Sequence, residues 1–223
     1  MNTMKPNEDR ARAAVVMVWA VIVLELIGII SNYMQYDLLQ CFSNGVEYTT
    51  EQLENNDLRV KFVTIIYGVF FAMSGITFIM WFRRAYYNLH QCHKDVRFLE
   101  GWAAGAWFVP ILNLFRPFQI MKELFNLNGY LLAKNGIKNI KTFPALYLSA
   151  WWAFWLINNA MIQILNKVSP EADEVESLSN ESLFYIGQSI ISIIAGLLII
   201  KIIKAYNSRE KLLFELKPVE VDQ

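Results

Sequence analysis

Cysteine and histidine are scarce in this chain, with two of each among 223 residues. Cys41 and Cys92 fall in segments that the hydropathy pattern places on opposite sides of a bilayer about 30 Å thick. A disulfide needs Cα atoms within about 7 Å, so no disulfide framework is expected. His90 and His93 flank Cys92, but their spacing matches no common zinc pattern, and neighbours on a helix point in different directions. No metal and no cofactor are expected. His-Glu-x-x-His, Gly-x-Ser-x-Gly and a phosphate-binding glycine-rich loop are also absent. With so few acid–base groups, the sequence points away from an enzyme.

Charge is scarce as well. Only 18% of residues are charged and 55% are hydrophobic, with 20 basic residues against 20 acidic ones. No nucleic-acid partner is expected. The apolar residues form long runs instead of being interrupted every few positions, as a soluble core requires. A bilayer-spanning helix needs about 20 mainly apolar residues. Residues 13–31, 62–82, 145–165 and 183–203 qualify, which predicts an all-α integral membrane protein with four transmembrane helices in two hairpins. These lie within one membrane domain, 13–206, between a polar lead-in (1–12) that is expected to fray and a charged tail (207–223).

The balanced total hides an asymmetry. The lead-in carries Lys5, Arg10 and Arg12; the segment from Arg83 to Lys141 carries nine cations against three acids; Lys201, Lys204, Arg209, Lys211 and Lys217 end the chain. The two remaining loops are acidic, one with Asp37, Glu47, Glu51, Glu54 and Asp57, the other with Glu171, Asp173, Glu174, Glu176 and Glu181. Basic loops stay in the cytoplasm, so both termini and the middle segment are expected inside. The first apolar run is too long for a signal-peptide core and lacks a small-residue cleavage site. Leu38-Leu39-Gln40-Cys41 partly matches a lipoprotein box, but Gln40 is the wrong residue beside the cysteine.

Glu25 lies near the middle of the first run, where a carboxylate costs about 2.5–3.5 kcal/mol on insertion scales. It should face protein, water or a cation, either as an ion- or proton-handling group or as a protonated acid that joins helices. Asn158, Asn159 and Gln163 in the third run, and Gln188, Ser189, Ser192 and Gly196 in the fourth, offer amides and small residues for helix packing. Alternatively, Glu25, Asn158, Asn159 and Gln188 line a polar path. In the first outer loop, Asn44-Gly45 reads as a turn and Thr50–Arg59 as a short surface helix. Ser74 and Gly75 in the second run would let helices approach closely.

The stretch 81–123 joins the two halves. Trp81 ends the second run at an interface, followed by Arg83 and Arg84, and residues 85–98 are expected to extend as helix. Gly101–Phe115 is apolar but too short to cross a bilayer and is broken by Pro110, then by Pro117; 118–132 resumes a helical pattern. Because positive charge lies on both sides, 101–132 is expected to form a re-entrant or interfacial helical hairpin on the cytoplasmic face, with Trp102 and Trp107 at headgroup depth. Arg83, Arg84 and Arg116 suit lipid phosphates or acidic groups of a partner. Arg116 is expected to snorkel or to pair with Glu100 or Glu123, while Asn88 and Asn113 would tie the broken backbone to neighbouring helices. The expected partners are membrane lipids and a possible second copy of the chain. The competing reading is an oligomeric small channel or transporter built on Glu25 and the intramembrane amides. A faint repeat pairs Arg84-Ala85-Tyr86-Tyr87-Asn88 with Lys204-Ala205-Tyr206-Asn207.

Trp81-Phe82-Arg83-Arg84-Ala85-Tyr86, Asn88-Leu89, Gly101-Trp102, Trp107-Phe108-Val109-Pro110-Ile111, Asn113-Leu114, Arg116-Pro117 and Glu123 resemble the bacterial family catalogued as domain of unknown function 4328. The resemblance implies a multi-spanning protein of the bacterial cytoplasmic (inner) membrane and supplies no activity.

Overall fold

The computed structural model describes residues 4–137, 143–168 and 175–216. Among these the secondary structure is entirely helical: α1 (Glu8–Ser43), α2 (Thr50–Cys92), α3 (Trp102–Gly105), α4 (Pro110–Asn113), α5 (Arg116–Lys134), α6 (Ala145–Val168) and α7 (Val175–Glu215). The middle of the second acidic loop, with Glu171, Asp173 and Glu174, lies outside the described residues, as do Lys138, Lys141 and the tail from Lys217 onward.

Among the described residues three helices, α1, α2 and α7, are long and apolar enough to cross a membrane. The fourth expected span falls on α6, which is not among them. Trp151, Trp152 and Trp155 carry polar ring N–H groups, and Asn158, Asn159 and Gln163 are polar amides, so together they dilute its hydropathy.

The long helices overrun their apolar runs, because hydropathy registers burial in lipid and not the continuation of a helix into water. The polar residues assigned to the first outer loop are thus largely helical, and Thr50–Arg59 is the first part of α2. Short sequence signals set the ends. Thr49 and Gln52 form a capping box: Gln52 N–H donates to Thr49 Oγ1 at 3.3 Å, and Thr49 N–H to Gln52 Oε1 at 2.9 Å. At the end of α1, Gly45 takes φ +86°, and Val46 N–H reaches back to Cys41 O at 3.1 Å. This bond satisfies a terminal carbonyl through a left-handed residue that only glycine adopts cheaply. Asn44-Gly45 is the turn the sequence implies. Neither proline kinks a helix: Pro110 opens α4 and Pro117 sits in the first turn of α5, where a missing N–H costs nothing.

The described residues form two compact units. One gathers Met1–Val16, Ser74–Trp152 and Leu198–Gln223. Its core joins Trp81, Phe82, Tyr86 and Leu89 of α2 to Ile120, Met121, Leu124 and Leu132 of α5 and Ile202, Ile203 and Tyr206 of α7, all at 2% exposure or less. The apolar positions of α5 recur at helical spacing, and its Lys122 and Lys134 face outward. Full burial of such a side chain is worth about 1.5–3 kcal/mol, which anchors an element whose intrinsic helicity is modest.

The second unit, Met17–Met73 with Ala153–Leu197, inverts that arrangement. Glu25, Asn158, Gln188 and Ser189 are buried in it, whereas Ile30, Phe62, Ile65 and Val69 are more than half exposed. Water would select against apolar surface of this kind, and hydrocarbon selects for it while driving polar groups inward. Gly196 provides a close approach, since a Cβ there would meet Ile22 at 3.1 Å. Gly75 in the first unit has nothing within 4 Å of its missing Cβ and brings no helix close.

Candidate functional site

The 101–132 hairpin consists of two one-turn helices, α3 and α4, packed on α5. Trp107 is its inward anchor. It meets Phe78 edge-on at 5.5 Å, Phe82 at 6.2 Å and Trp152 at 6.1 Å, and Trp152 Nε1 donates to Leu114 O at 3.1 Å. Trp107 thus serves as a packing centre, since an aromatic cage is available within the same unit. The outward face belongs to Phe108 (76% exposed), Ile111 (73%) and Leu114 (54%). An apolar tip on a pair of helical turns too short to bury it themselves needs a nonaqueous environment.

The polar frame behind this tip centres on Tyr86 and Glu123. Tyr86 OH lies 2.7 Å from Glu123 Oε2 and accepts from Phe98 N–H at 3.2 Å; Glu123 Oε1 accepts Arg97 N–H. The hydroxyl has one proton, and the short contact assigns it to Glu123. The Phe98 carbonyl is 3.0 Å from His90 Nε2, which then carries the ring proton. Burial, reinforced by the Glu123 hydrogen bond and charge, pushes the Tyr86 phenol far up, so it remains a donor. His93 Nδ1 accepts Asp95 N–H at 3.0 Å. Both histidines therefore fasten the 93–98 loop. Tyr86→Phe should release that loop: amide hydrogen exchange at Phe98 is expected to accelerate roughly tenfold, and unchanged exchange would contradict the frame.

With Glu123 engaged there and Glu100 lying 3.5 Å from Arg83, neither acid forms the expected ion pair with Arg116. Its guanidinium instead lies over the Phe98 ring at 4.2 Å, and its buried Nε has no hydrogen-bond partner among the described residues. Arg84 lies over Tyr87 at 5.8 Å. Asn113 Oδ1 is buried without a partner among the described residues and ties no broken backbone. Trp102 is half-buried in α3.

Asn88 does something the sequence did not suggest. It accepts from Lys5 N–H at 2.8 Å and donates to Lys5 O at 2.9 Å and Glu210 Oε1 at 2.8 Å. Asn7 Nδ2 donates to Glu210 Oε2 at 3.0 Å. From Lys5 onward the lead-in that was expected to fray is therefore fastened to α2 and α7, with Asn7 and Glu210 at 5% and 3% exposure; residues 1–3 lie outside the described residues. Burial raises the Glu210 carboxyl above the usual carboxylate range, against the lowering effect of Asn88, Asn7 and Arg84. A cavity of about 210 Å³ opens beside this knot, lined by Lys5, Asn7, Asn88, Glu210 and Phe214 among others.

In the second unit, Tyr67 OH donates to Glu25 Oε1 at 2.7 Å, and Gln188 Nε2 to Asn158 Oδ1 at 2.8 Å. Gln188 and Ser192 lie near the Tyr67 hydroxyl. Glu25 thus bonds a tyrosine and Gln188 bonds Asn158, whereas Asn159 turns back to Trp155 O at 2.7 Å. The faint repeat also has a physical counterpart: Tyr86 and Tyr206 are both buried, and the first is bonded to Glu123 of α5.

Comparison with known proteins returns a family model described as Domain of unknown function, which matches residues 44–208, well over half of the chain. No curated protein and no solved structure matches.

Proposed function

We propose that this chain, which belongs to the DUF4328 family, is a four-crossing, non-enzymatic membrane protein whose 101–132 hairpin seats as a wedge in the inner leaflet and binds lipid there. The fourth crossing is α6: 24 residues at about 1.5 Å per residue exceed a hydrocarbon core of about 30 Å. Both termini and the hairpin are cytoplasmic, following the basic segments. The observation that carries the reading is the exposed tip of Phe108, Ile111 and Leu114 backed by the arginines Arg83, Arg84 and Arg116. The Tyr86–Glu123 frame and the Trp107 cage hold the tip out in advance, so insertion requires little further ordering. Tyr67 satisfies Glu25 and Gln188 satisfies Asn158, which favours helix packing over a conducting path.

Native mass spectrometry on protein released from nanodiscs tests the function. Retained lipid at the monomer mass supports it; a stable, lipid-free oligomer would make the tip an assembly surface between copies instead.

Topology has its own test. A membrane-impermeant maleimide should label Cys41 from outside on intact cells stripped of any outer envelope, and leave Cys92 unlabelled until the membrane is opened. Burial raises the Cys92 thiol and slows its reaction, so a permeant maleimide on unfolded protein sets its full signal. Labelling of Cys92 alone from outside would invert the topology.

A further inference from the structure

Arg10 of α1 donates through Nη1 to Met80 O at 3.2 Å. Helical spacing puts Met80, Arg83 and Arg84 on one face of α2, and a helix carbonyl points toward the residue four positions on. The Arg10 guanidinium is therefore held where Arg84 and Arg83 project. Their proximity is felt electrostatically: Arg10 is lowered from its ordinary value first by burial, then by the charges of Arg84 and Arg83.

Little opposes this concentration of positive charge. Glu100 lies 3.5 Å from Arg83 in a pair whose side chains are 62% and 36% exposed, a weak contact in water. Glu210 is felt by Arg84, but its two oxygens already accept from Asn88 and Asn7. Glu8 and Asp9 turn to Arg12 instead, at 3.7 and 3.9 Å. Guanidinium groups from two helices, each next to the end of an apolar run, form a planar-donor array that matches the oxygens of a phosphate.

We propose that Arg10, Arg83 and Arg84 form a binding site for the phosphate of an anionic phospholipid headgroup. The site rests on the bilayer placement given above, though not on insertion of the 108–114 tip. Arg10 is the residue that makes it a site, because it adds a second helix to an arginine pair that would otherwise only mark the membrane surface. Two guanidinium groups on one helix attract anions in general; a third, held near them by the Met80 carbonyl, adds donors from a second helix for the same phosphate group. A neutral headgroup carries the same phosphate beside its own ammonium, which the arginines repel, so anionic lipids are favoured.

The test uses the full-length protein in phosphatidylcholine nanodiscs doped with phosphatidylglycerol, with bound lipid counted by native mass spectrometry. Wild type is expected to retain phosphatidylglycerol preferentially. Arg10→Ala and Arg84→Ala should each lower that retention roughly tenfold, the loss of a charge-assisted hydrogen bond, and Arg10→Lys should lower it less. Arg12→Ala removes the same charge two residues away and should leave retention unchanged. Equal loss in Arg12→Ala and Arg10→Ala would overturn the site in favour of diffuse attraction, as would retention that survives Arg10→Ala and Arg84→Ala.

Two further arms separate the sources of phosphate and the parent reading. Inorganic phosphate that raises the thermal midpoint of the wild type in detergent, with no lipid preference in nanodiscs, would overturn the lipid assignment. Phe108→Asp with Ile111→Asp removes the apolar tip and leaves the arginines in place. Phosphatidylglycerol preference should persist in that variant, and its disappearance there would show that the wedge and not the arginine array selects the lipid. Circular dichroism and the thermal midpoint in pure phosphatidylcholine confirm that each variant is folded.

Discussion

Glu210→Ala is expected to destabilise the first unit by about 2–6 kcal/mol, because it removes the acceptor of one buried donor on each of Asn7 and Asn88, at about 1–3 kcal/mol each. Glu210→Gln should cost less. It keeps one acceptor and sets its own amide against a second donor. The pH dependence follows from the raised carboxyl. The folded protein holds the proton more tightly than the unfolded chain, whose glutamates titrate near 4.3. Protonation of Glu210 therefore adds stability that is fully present below that pH and is lost as pH rises through the folded value. The wild type should lose stability across this window and Glu210→Gln should show no such component, as read from thermal unfolding in detergent at a series of pH values. A wild type whose Glu210-dependent stability rises through that window would reverse the sign and place an ionised carboxylate in the knot.

The second large effect belongs to the tip. Phe108 and Ile111 each gain about 1.5–3 kcal/mol when fully removed from water, so Phe108→Asp with Ile111→Asp should forfeit about 3–6 kcal/mol of seating free energy and add two hydrated charges. The hairpin is expected to leave the bilayer while the crossings persist, since neither position lies in a long helix. Lipid retained at the hairpin should fall, and proteolysis between residues 105 and 116 should become fast in nanodiscs. Undiminished protection would mean that protein and not lipid covers the tip.

The sequence makes the long apolar helices legible because hydropathy runs and burial in lipid are the same physical signal. Capping chemistry is legible too: Asn44-Gly45 and the two prolines act where their backbone preferences require. The missing fourth apolar helix has a local cause in α6, where tryptophans and amides occupy positions that hydropathy counts as polar. The Asn7–Glu210 contact was not legible, since its members are 203 residues apart and Glu210 lies among charges that read as a solvated tail. Tyr67 was missed because an aromatic inside an apolar run carries no sign of the hydrogen bond it makes. Arg10 was visible only as one more positive-inside charge. Arg116 shows the limit of reasoning from nearby acids: Glu100 and Glu123 were within reach in sequence, but Arg83, Tyr86 and the Arg97 backbone engage them first.

The central claim is that the tip of the 101–132 hairpin sits beneath the lipid phosphates. Its most direct measurement is the depth of a nitroxide at position 108, introduced as Phe108→Cys in a protein with Cys41 and Cys92 replaced by serine and reconstituted in nanodiscs. Power-saturation with oxygen and with a water-soluble nickel chelate reports that depth. The account predicts higher accessibility to oxygen than to the chelate, with the label among the acyl chains close to the headgroups. A label at 108 as accessible to the chelate as one placed at the exposed Glu51 would contradict it.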